Sequence, residues 1–202
     1  MTKAPVAGAS KRRLAAEIGS TQATRFARSA AAALIGRLGR DARWQTILAV
    51  SPDHFANSPI WPATSKTSGQ GTGDLGQRMQ RLLKANAPGP LVIIGTDIPA
   101  IRATHIAAAF RLLGSRDAVF GPAIDGGYWL VGLRRRPRLL RPFAQVRWSG
   151  PHALQDTLGN LAGHSIGFVA TLGDVDSAEA YRLSAPHFGR RLLPGAVRRS
   201  AG

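Results

Sequence analysis

The sequence predicts an α/β domain built on a mostly parallel sheet, and three observations carry that expectation. Short β-rich runs alternate with helix-period segments along almost the whole chain. One run, Leu91-Val92-Ile93-Ile94, is continuously apolar, the mark of a strand covered on both faces. Acidic residues stand just past two of the runs, at Asp97 and at Asp174 and Asp176. An open α/β sheet collects its functional groups at those carboxyl ends.

Each element has its own signal. Ala23, Phe26, Ala27, Ala30, Leu34 and Leu38 fall on one helical face, which predicts a helix over about residues 20–40. Residues 46–51 (TILAVS) read as a strand stopped by Pro52. Residues 57–73 are polar and rich in Gly, Ser and Thr, and are expected to form a loop of about 17 residues. Asp74 then caps a helix carrying Leu75, Met79, Leu82 and Leu83, with Gln77 at the capping-box position. A helix over 103–113 and strands at 118–120 and 128–133 follow. Ser149-Gly150-Pro151 opens a helix with Leu154, Leu158 and Leu161 on one face, residues 165–172 are the last strand, and Ser177 can cap a terminal helix. No internal repeat or linker divides the chain. A single domain over residues 1–185 with a basic tail over 186–202 is expected.

Composition narrows the class. Apolar residues make up 44% of the 202, enough for a real core, and there is no run of 18 apolar residues to span a membrane. The N-terminus has basic residues but no apolar stretch of a secretory signal. Cysteine is absent, which removes disulfides, thiolate metal sites and thiol catalysis, and makes a reducing cytoplasm the default compartment. Twenty-seven Lys and Arg against 11 Asp and Glu leave a formal +16. The basic residues are scattered apart from a cluster at Arg190, Arg191, Arg198 and Arg199, which reads as a solvated tail. That pattern attracts an anionic nucleotide and argues against a polynucleotide site.

Chemistry concentrates at four places. Asp97, in Gly95-Thr96-Asp97-Ile98-Pro99, can hold a hard divalent cation or merely form a turn. Asp176 stands at another strand end, as a second ligand or a helix-start acid. Asp125-Gly126-Gly127-Tyr128 is either a hairpin turn or a place where a ligand approaches the backbone. The segment from Lys3 through Gly8 to Lys11 and Arg12 puts a Gly-containing loop and cations before a helix, a phosphate-binding arrangement or a basic surface turn. Gly71-Thr72-Gly73-Asp74-Leu75-Gly76 fits G-x-G-x-x-G, but a dinucleotide fingerprint follows a strand, and this one follows a polar stretch. No G-x-S-x-G elbow is present, and the histidines lack H-E-x-x-H spacing.

KAPVAGASKRRLA, GDLGQRM, IGTDIP, GPAIDGGYWLVGL, RWSGP and GDVDS, in this order and spacing, resemble the bacterial transferases associated with radical-SAM/selenodomain genes. Some members of that family are described as arsenosugar-biosynthesis glycosyltransferases. The likeness spans residues 3 to about 182. It implies a compact, Rossmann-like GT-A fold of the nucleotide-diphospho-sugar transferase superfamily, more distantly related to 2-phospholactate guanylyltransferase. It also implies roles. Asp97 and Asp176 would bind magnesium or manganese. Lys3, Gly8, Lys11 and Arg12 would meet the phosphates, and Gly73, Asp74 and Arg78 the nucleotide. Asp125 would act as base, with Gly126, Gly127, Tyr128 and Trp148 bordering a small-molecule acceptor. The implied reaction is glycosyl transfer from a nucleotide sugar, or else nucleotidyl transfer to a phosphorylated acceptor. A basic nucleotide- or RNA-binding module is the non-enzymatic reading, and predicts a steep salt dependence.

In such sheets the phosphate loop hangs from a central strand, and relatives carry an apolar run before it. Here only Met1-Thr2 precedes Lys3. The expectation is therefore a truncated first strand, with the runs at 46–51 and 91–94 facing each other across a gap.

Overall fold

The computed structural model describes residues 1–6, 11–175 and 177–184. Seven strands and six helices alternate among these residues: β1 (Thr2–Lys3), α1 (Arg12–Ile18), α2 (Ser20–Leu38), β2 (Ile47–Ser51), β3 (Lys66–Gly69), α3 (Leu75–Ala85), β4 (Leu91–Ile94), α4 (Ala103–Leu113), β5 (Ala118–Pro122), β6 (Tyr128–Leu133), α5 (Ala153–Gly159), β7 (Ile166–Phe168) and α6 (Ala178–Leu183). Parallel pairs join β1 to β2, β2 to β3 and β5 to β7. β6 runs antiparallel to β4 and β5, between which it lies. The sheet is thus mostly parallel, with one reversed strand supplied by a hairpin.

Strand alternation splits the core across two faces. Phe120 and Val131 pack with Met79, Leu82 and Leu83 of α3. Val119 and Leu130, one position along each strand, pack with Leu34 and Leu38 of α2 and Ile106, Ala109 and Leu113 of α4. Helices therefore cover both faces, as the apolar run at β4 requires. α3 begins where expected: the Asp74 carboxylate accepts from Gln77 N at 2.8 Å, and Gln77 Oε1 accepts from Asp74 N at 3.0 Å.

Two local expectations need correction. The polar stretch 57–73 is not all loop, because Lys66–Gly69 pairs with β2 as the edge strand β3. Its Lys-Thr-Ser-Gly sequence has no apolar alternation, and an edge strand with two mostly wet faces needs none. The final strand is also shorter than 165–172. β7 covers Ile166–Phe168, and further on a single bridge joins Ala123 to Leu172. The basic tail over 186–202 lies outside the described residues.

The two halves of the sheet do not pair directly. β2 bonds to β1 and β3, and β4 bonds to β6. β1 lies between them at their carboxyl ends: Ala4 N donates to Ser51 O at 2.8 Å on one side, and the Met1 amine donates to Ile94 O at 2.7 Å on the other. Thr96 Oγ1 donates to Thr2 Oγ1 at 3.0 Å, a second tie across the seam. The expected gap between β2 and β4 is present, closed at one end by a strand two residues long.

The β5–β6 hairpin shows why two adjacent glycines are not equivalent. Gly126 has φ of 85°, and a Cβ there would stand 2.4 Å from the Pro151 carbonyl oxygen. A Cβ on Gly127 would meet nothing closer than the Asp125 carboxylate, at 3.2 Å. Gly126→Ala should therefore cost roughly 1–3 kcal/mol. Gly127→Ala should cost less than about 1 kcal/mol. Urea unfolding of both variants checks the order.

The Met1 amine yields a pH prediction. Burial pulls its pKa down from 8.0 to about 6, against the opposing charge of Asp97. Between these values the unfolded chain holds more protons than the folded one, so stability rises with pH across the window. The size is on the order of 2 kcal/mol. Unfolding of the free and N-terminally acetylated chains at both ends of the window checks it. The acetylated chain should lose this part of the slope, and equal slopes would rule out a desolvated amine.

Candidate functional site

Beyond the carboxyl ends of β1 and β4 opens a cleft of about 610 Å³. It gathers Lys3, Lys11, Arg13, Arg78, Asp97 and Asp125 from segments far apart in sequence. Lys3 ends β1, Asp97 lies three residues past β4, Asp125 tips the β5–β6 hairpin, and Arg78 stands on the first turn of α3. Five residues expected at the site (Lys3, Lys11, Arg78, Asp97 and Asp125) thus line one cleft. Leu75 and Ser149 line the same space.

Asp97 sits at the centre of this arrangement. Its side chain is 59% exposed, and its Oδ2 lies 3.2 Å from the Nζ of Lys11, a side chain only 4% exposed. The main chain at Asp97 is fixed from two directions. Val175 N donates to Asp97 O at 3.3 Å, which docks the segment after β7 against the cleft. Arg37, on α2, donates through Nη1 to Pro99 O at 2.9 Å and also to Ile101 O. The carboxylate is accessible while its backbone is held, the combination that positions an oxygen ligand. Among the described residues, no group of three or more His, Asp or Glu side chains could hold a metal ion. Asp97 with phosphate oxygens suits a hard divalent cation, which commonly uses one or two carboxylates plus substrate.

The glycine loop between β3 and α3 is tied down by charged side chains. Both Asp53 oxygens accept from Gly71 N, at 2.9 and 3.1 Å. Arg81 donates to Gln70 O at 2.7 Å and to Thr72 O at 3.1 Å. Arg78 Nε donates to Gly73 O at 2.8 Å. This loop does follow a strand, β3, so the sequence argument against a dinucleotide fingerprint rested on a strand it had missed. The G-x-G-x-x-G acid at Asp97 nevertheless belongs to the end of β4, where it faces the cations of the cleft.

Other expected residues lie elsewhere. Asp74 is occupied as the α3 cap. Gly126 and Gly127 shape the hairpin, and Leu154 N donates to Gly126 O at 3.2 Å. Tyr128 turns into the molecule, edge-on to Phe120 at 5.3 Å and to Trp148 at 6.4 Å, with its hydroxyl 3.4 Å from Thr157 Oγ1. Burial pushes the Tyr128 hydroxyl pKa up, so it does not exchange protons near neutrality. Trp148 packs against Phe143 and the backbone of Gly76. Tyr128 and Trp148, expected to border an acceptor, therefore pack into the molecule and are not among the residues that line the cleft. Gly8 and Asp176 lie outside the described residues, as does the Arg12 side chain.

Sequence reasoning missed Asp53, Gln70, Arg37 and Arg81. Asp53 was findable, since it follows β2 as Asp97 follows β4, and the same strand-end rule applies. The arginines carried no signal, because a guanidinium that donates to distant carbonyls has no sequence pattern.

No curated protein matches this sequence. Among solved structures, the chain is similar to a candidate nucleotide-diphospho-sugar transferase from Desulfovibrio desulfuricans G20, with 26% identity and a TM-score of 0.76 over 87% of this chain and 79% of that one. It shares a fold with 4-diphosphocytidyl-2C-methyl-D-erythritol synthase from Anaerococcus prevotii DSM 20548, at 12% identity and a TM-score of 0.58 over 91% and 92% of the two chains. It also shares a fold with Rv0371c from Mycobacterium tuberculosis H37Rv, solved as a manganese complex, at 17% identity and a TM-score of 0.52 over 91% and 94%. The fold is that of the nucleotide-diphospho-sugar transferases, and no described helix is long and apolar enough to cross a membrane. Residues 34–150, more than half of the chain, match the family of uncharacterised proteins conserved in bacteria known as DUF2064, and the chain belongs to that family.

Proposed function

We propose that the chain is a metal-dependent glycosyltransferase that takes a nucleotide-diphosphate sugar as donor and a small molecule as acceptor. The observation that carries this reading is the exposed Asp97 carboxylate at the end of β4, facing Lys3, Lys11, Arg13 and Arg78 across one cleft. A diphosphate needs positive charge on several sides, and these four cations supply it. The likeness to a candidate nucleotide-diphospho-sugar transferase supports the same donor class. A fold neighbour solved with manganese supports a divalent ion.

A bound magnesium or manganese ion supplies charge neutralisation on the diphosphate, and Asp97 is the residue here that would hold it. The remaining work falls to the chain. Lysine and arginine side chains bind the phosphate oxygens. As the bond between the anomeric carbon and the diphosphate breaks, its electron pair leaves with the nucleoside diphosphate. The acceptor oxygen bonds to the anomeric carbon, and its proton passes to the Asp125 carboxylate. One Asp125 oxygen accepts from Gly127 N at 2.9 Å, which orients the carboxylate and leaves the other oxygen for the acceptor. The motif likeness to arsenosugar-type glycosyltransferases makes small hydroxylated molecules the first acceptors to try.

A second reading, nucleotidyl transfer from a nucleoside triphosphate, is favoured by the same four cations, which match a triphosphate as well as a diphosphate. The leaving group separates the two readings. Glycosyl transfer releases nucleoside diphosphate, and nucleotidyl transfer releases pyrophosphate.

Asp97→Asn removes a charge and almost no volume, so the fold should persist. Calorimetry with manganese present should show nucleotide affinity falling roughly 10-fold or more. Unchanged affinity would eliminate Asp97 as the metal ligand.

A further inference from the structure

Residues 147–151 bridge the start of α3 and the tip of the β5–β6 hairpin, and the segment is held at several points. Trp148 covers Gly76 so closely that a Cβ there would stand 2.8 Å from its ring. Pro151 covers Gly126, where a Cβ would meet the Pro151 carbonyl oxygen at 2.4 Å. Arg147 is clamped to the Asp156 carboxylate of α5, through its backbone N at 3.0 Å and its guanidinium at 2.8 and 2.9 Å. Ser149 stands between these anchors and lines the cleft together with Asp125 and Leu75.

Ser149 differs from its neighbours in two ways. Its backbone is left-handed, at φ of 64°, a conformation that glycine adopts freely and that crowds the Cβ of any other residue. The residue is exposed, and among the described residues its hydroxyl has no hydrogen-bond partner. A strained residue, held firmly from both sides, whose hydroxyl serves nothing in the fold points to a ligand. The charge at this end of the cleft disfavours an anion. Arg147, the cation of the segment, is committed to Asp156. Lys3, Lys11, Arg13 and Arg78 enter the cleft from β1, the start of α1 and the first turn of α3, on the side assigned to the diphosphate. The Asp125 carboxylate beside Ser149 repels a phosphorylated or carboxylated molecule.

We propose that Ser149 is an acceptor-binding residue, and that the acceptor is a neutral molecule with hydroxyl groups on adjacent carbons. One hydroxyl gives its proton to Asp125 as its oxygen attacks the donor. The neighbouring hydroxyl bonds to Ser149 Oγ, which can both donate and accept. Leu75 meets the carbons that carry the two groups. A single hydroxyl would satisfy Asp125 and leave Ser149 without a partner, so the pair selects a diol over a simple alcohol. Calling this molecule the acceptor rests on the transferase reading. The binding of a neutral diol at Ser149 does not.

An amide-shift titration of the isotope-labelled chain, with no donor present, is the test. Methyl glucoside should shift the Ser149 and Gly150 amides to saturation. The compound 1,3-propanediol, whose hydroxyls are not adjacent, should bind roughly fivefold more weakly or less tightly still. Ser149→Ala keeps the Cβ and removes the hydroxyl, and should weaken methyl glucoside binding by roughly fivefold or more. Ser149→Gly should weaken it equally while raising Tm by roughly 2 °C, because glycine relieves the positive φ. Amides that do not respond to methyl glucoside overturn the proposal, as does an affinity that Ser149→Ala leaves unchanged. A lower Tm for Ser149→Gly also overturns it, by making the side chain a support of the loop. Glucose 6-phosphate binding more tightly than methyl glucoside overturns the neutral class and favours a phosphorylated acceptor. No nucleotide takes part, so failure here leaves the donor reading intact. Conversely, an Asp97→Asn chain with unchanged nucleotide affinity would remove the donor reading without touching this one.

Discussion

The structure turns on the seam held by Thr2. Two half-sheets, β1-β2-β3 and β4-β6-β5-β7, meet there through the Met1 amine on Ile94 O and the Thr96 hydroxyl on Thr2. Lys3 and Asp97 stand at the carboxyl ends of the strands at this seam, and Arg78 and Asp125 reach the same cleft from α3 and the β5–β6 hairpin. Lys3 continues β1 and Asp97 follows β4. The distance between Lys3 and the Asp97 carboxylate is therefore set by a contact only two residues long. Gln70 reinforces it: its amide donates to Thr2 O at 2.9 Å and to Ala49 O at 2.8 Å, tying β1 and β2 to the start of the glycine loop. Gln70 is only 4% exposed, and two carbonyl acceptors fix which end of its amide faces them.

The large positive charge takes on a different meaning once partners are visible. Arg135, in a left-handed conformation at φ of 59°, donates to Leu83 O at 2.6 Å, Asn86 O at 3.1 Å and Gly89 O at 2.7 Å, and also to Ala87 O. It closes the carboxyl end of α3, where the helix carbonyls and the negative end of the dipole lack intrahelical partners. Arg37 and Arg81 serve loop carbonyls in the same way. These guanidinium groups do inside the fold what caps and turns usually do. A nucleic-acid surface needs cations that face outward in an array. Here Arg37, Arg78, Arg81, Arg134 and Arg135 donate to the chain's own backbone, and the cleft keeps a local set beside Asp97.

Much of this was legible in the sequence because it depends on periodicity and strand ends. The buried face of α2, the Asp74 cap and the apolar β4 follow from spacing and residue type alone. Asp97 is identifiable as a cleft residue because a parallel sheet presents its carboxyl ends together, whereas the local pattern at Asp125 reads equally as a hairpin turn. The edge strand β3 was not, because a strand wet on both faces carries no apolar alternation. The reversal of β6 was hidden too, since Asp-Gly-Gly permits a hairpin without requiring one. The family resemblance puts Tyr128 beside an acceptor. One step of pleat turns its ring inward against Phe120, a difference that motif order does not encode.

The Lys11–Asp97 pair links the two halves of the proposed chemistry. The Lys11 ammonium stands 3.2 Å from Oδ2 of the carboxylate that would hold a divalent cation. Lysine is a point charge on a long stem, and it reorients at little cost compared with moving the backbone. In the transferase reading, donor and metal arrive together. Asp97 would then hold the cation, and the Lys11 ammonium would meet the donor's phosphate oxygens. Metal alone brings no phosphate oxygens to Lys11, whereas metal and donor together bring a counterpart for each member of the Lys11–Asp97 pair. Metal affinity should therefore be weak without nucleotide and strong with it, a positive coupling built from one ion pair. Manganese titration of the chain, with and without a nucleoside diphosphate, measures this coupling directly. Equal affinities in the two titrations would mean that Lys11 does not hand Asp97 over to the metal.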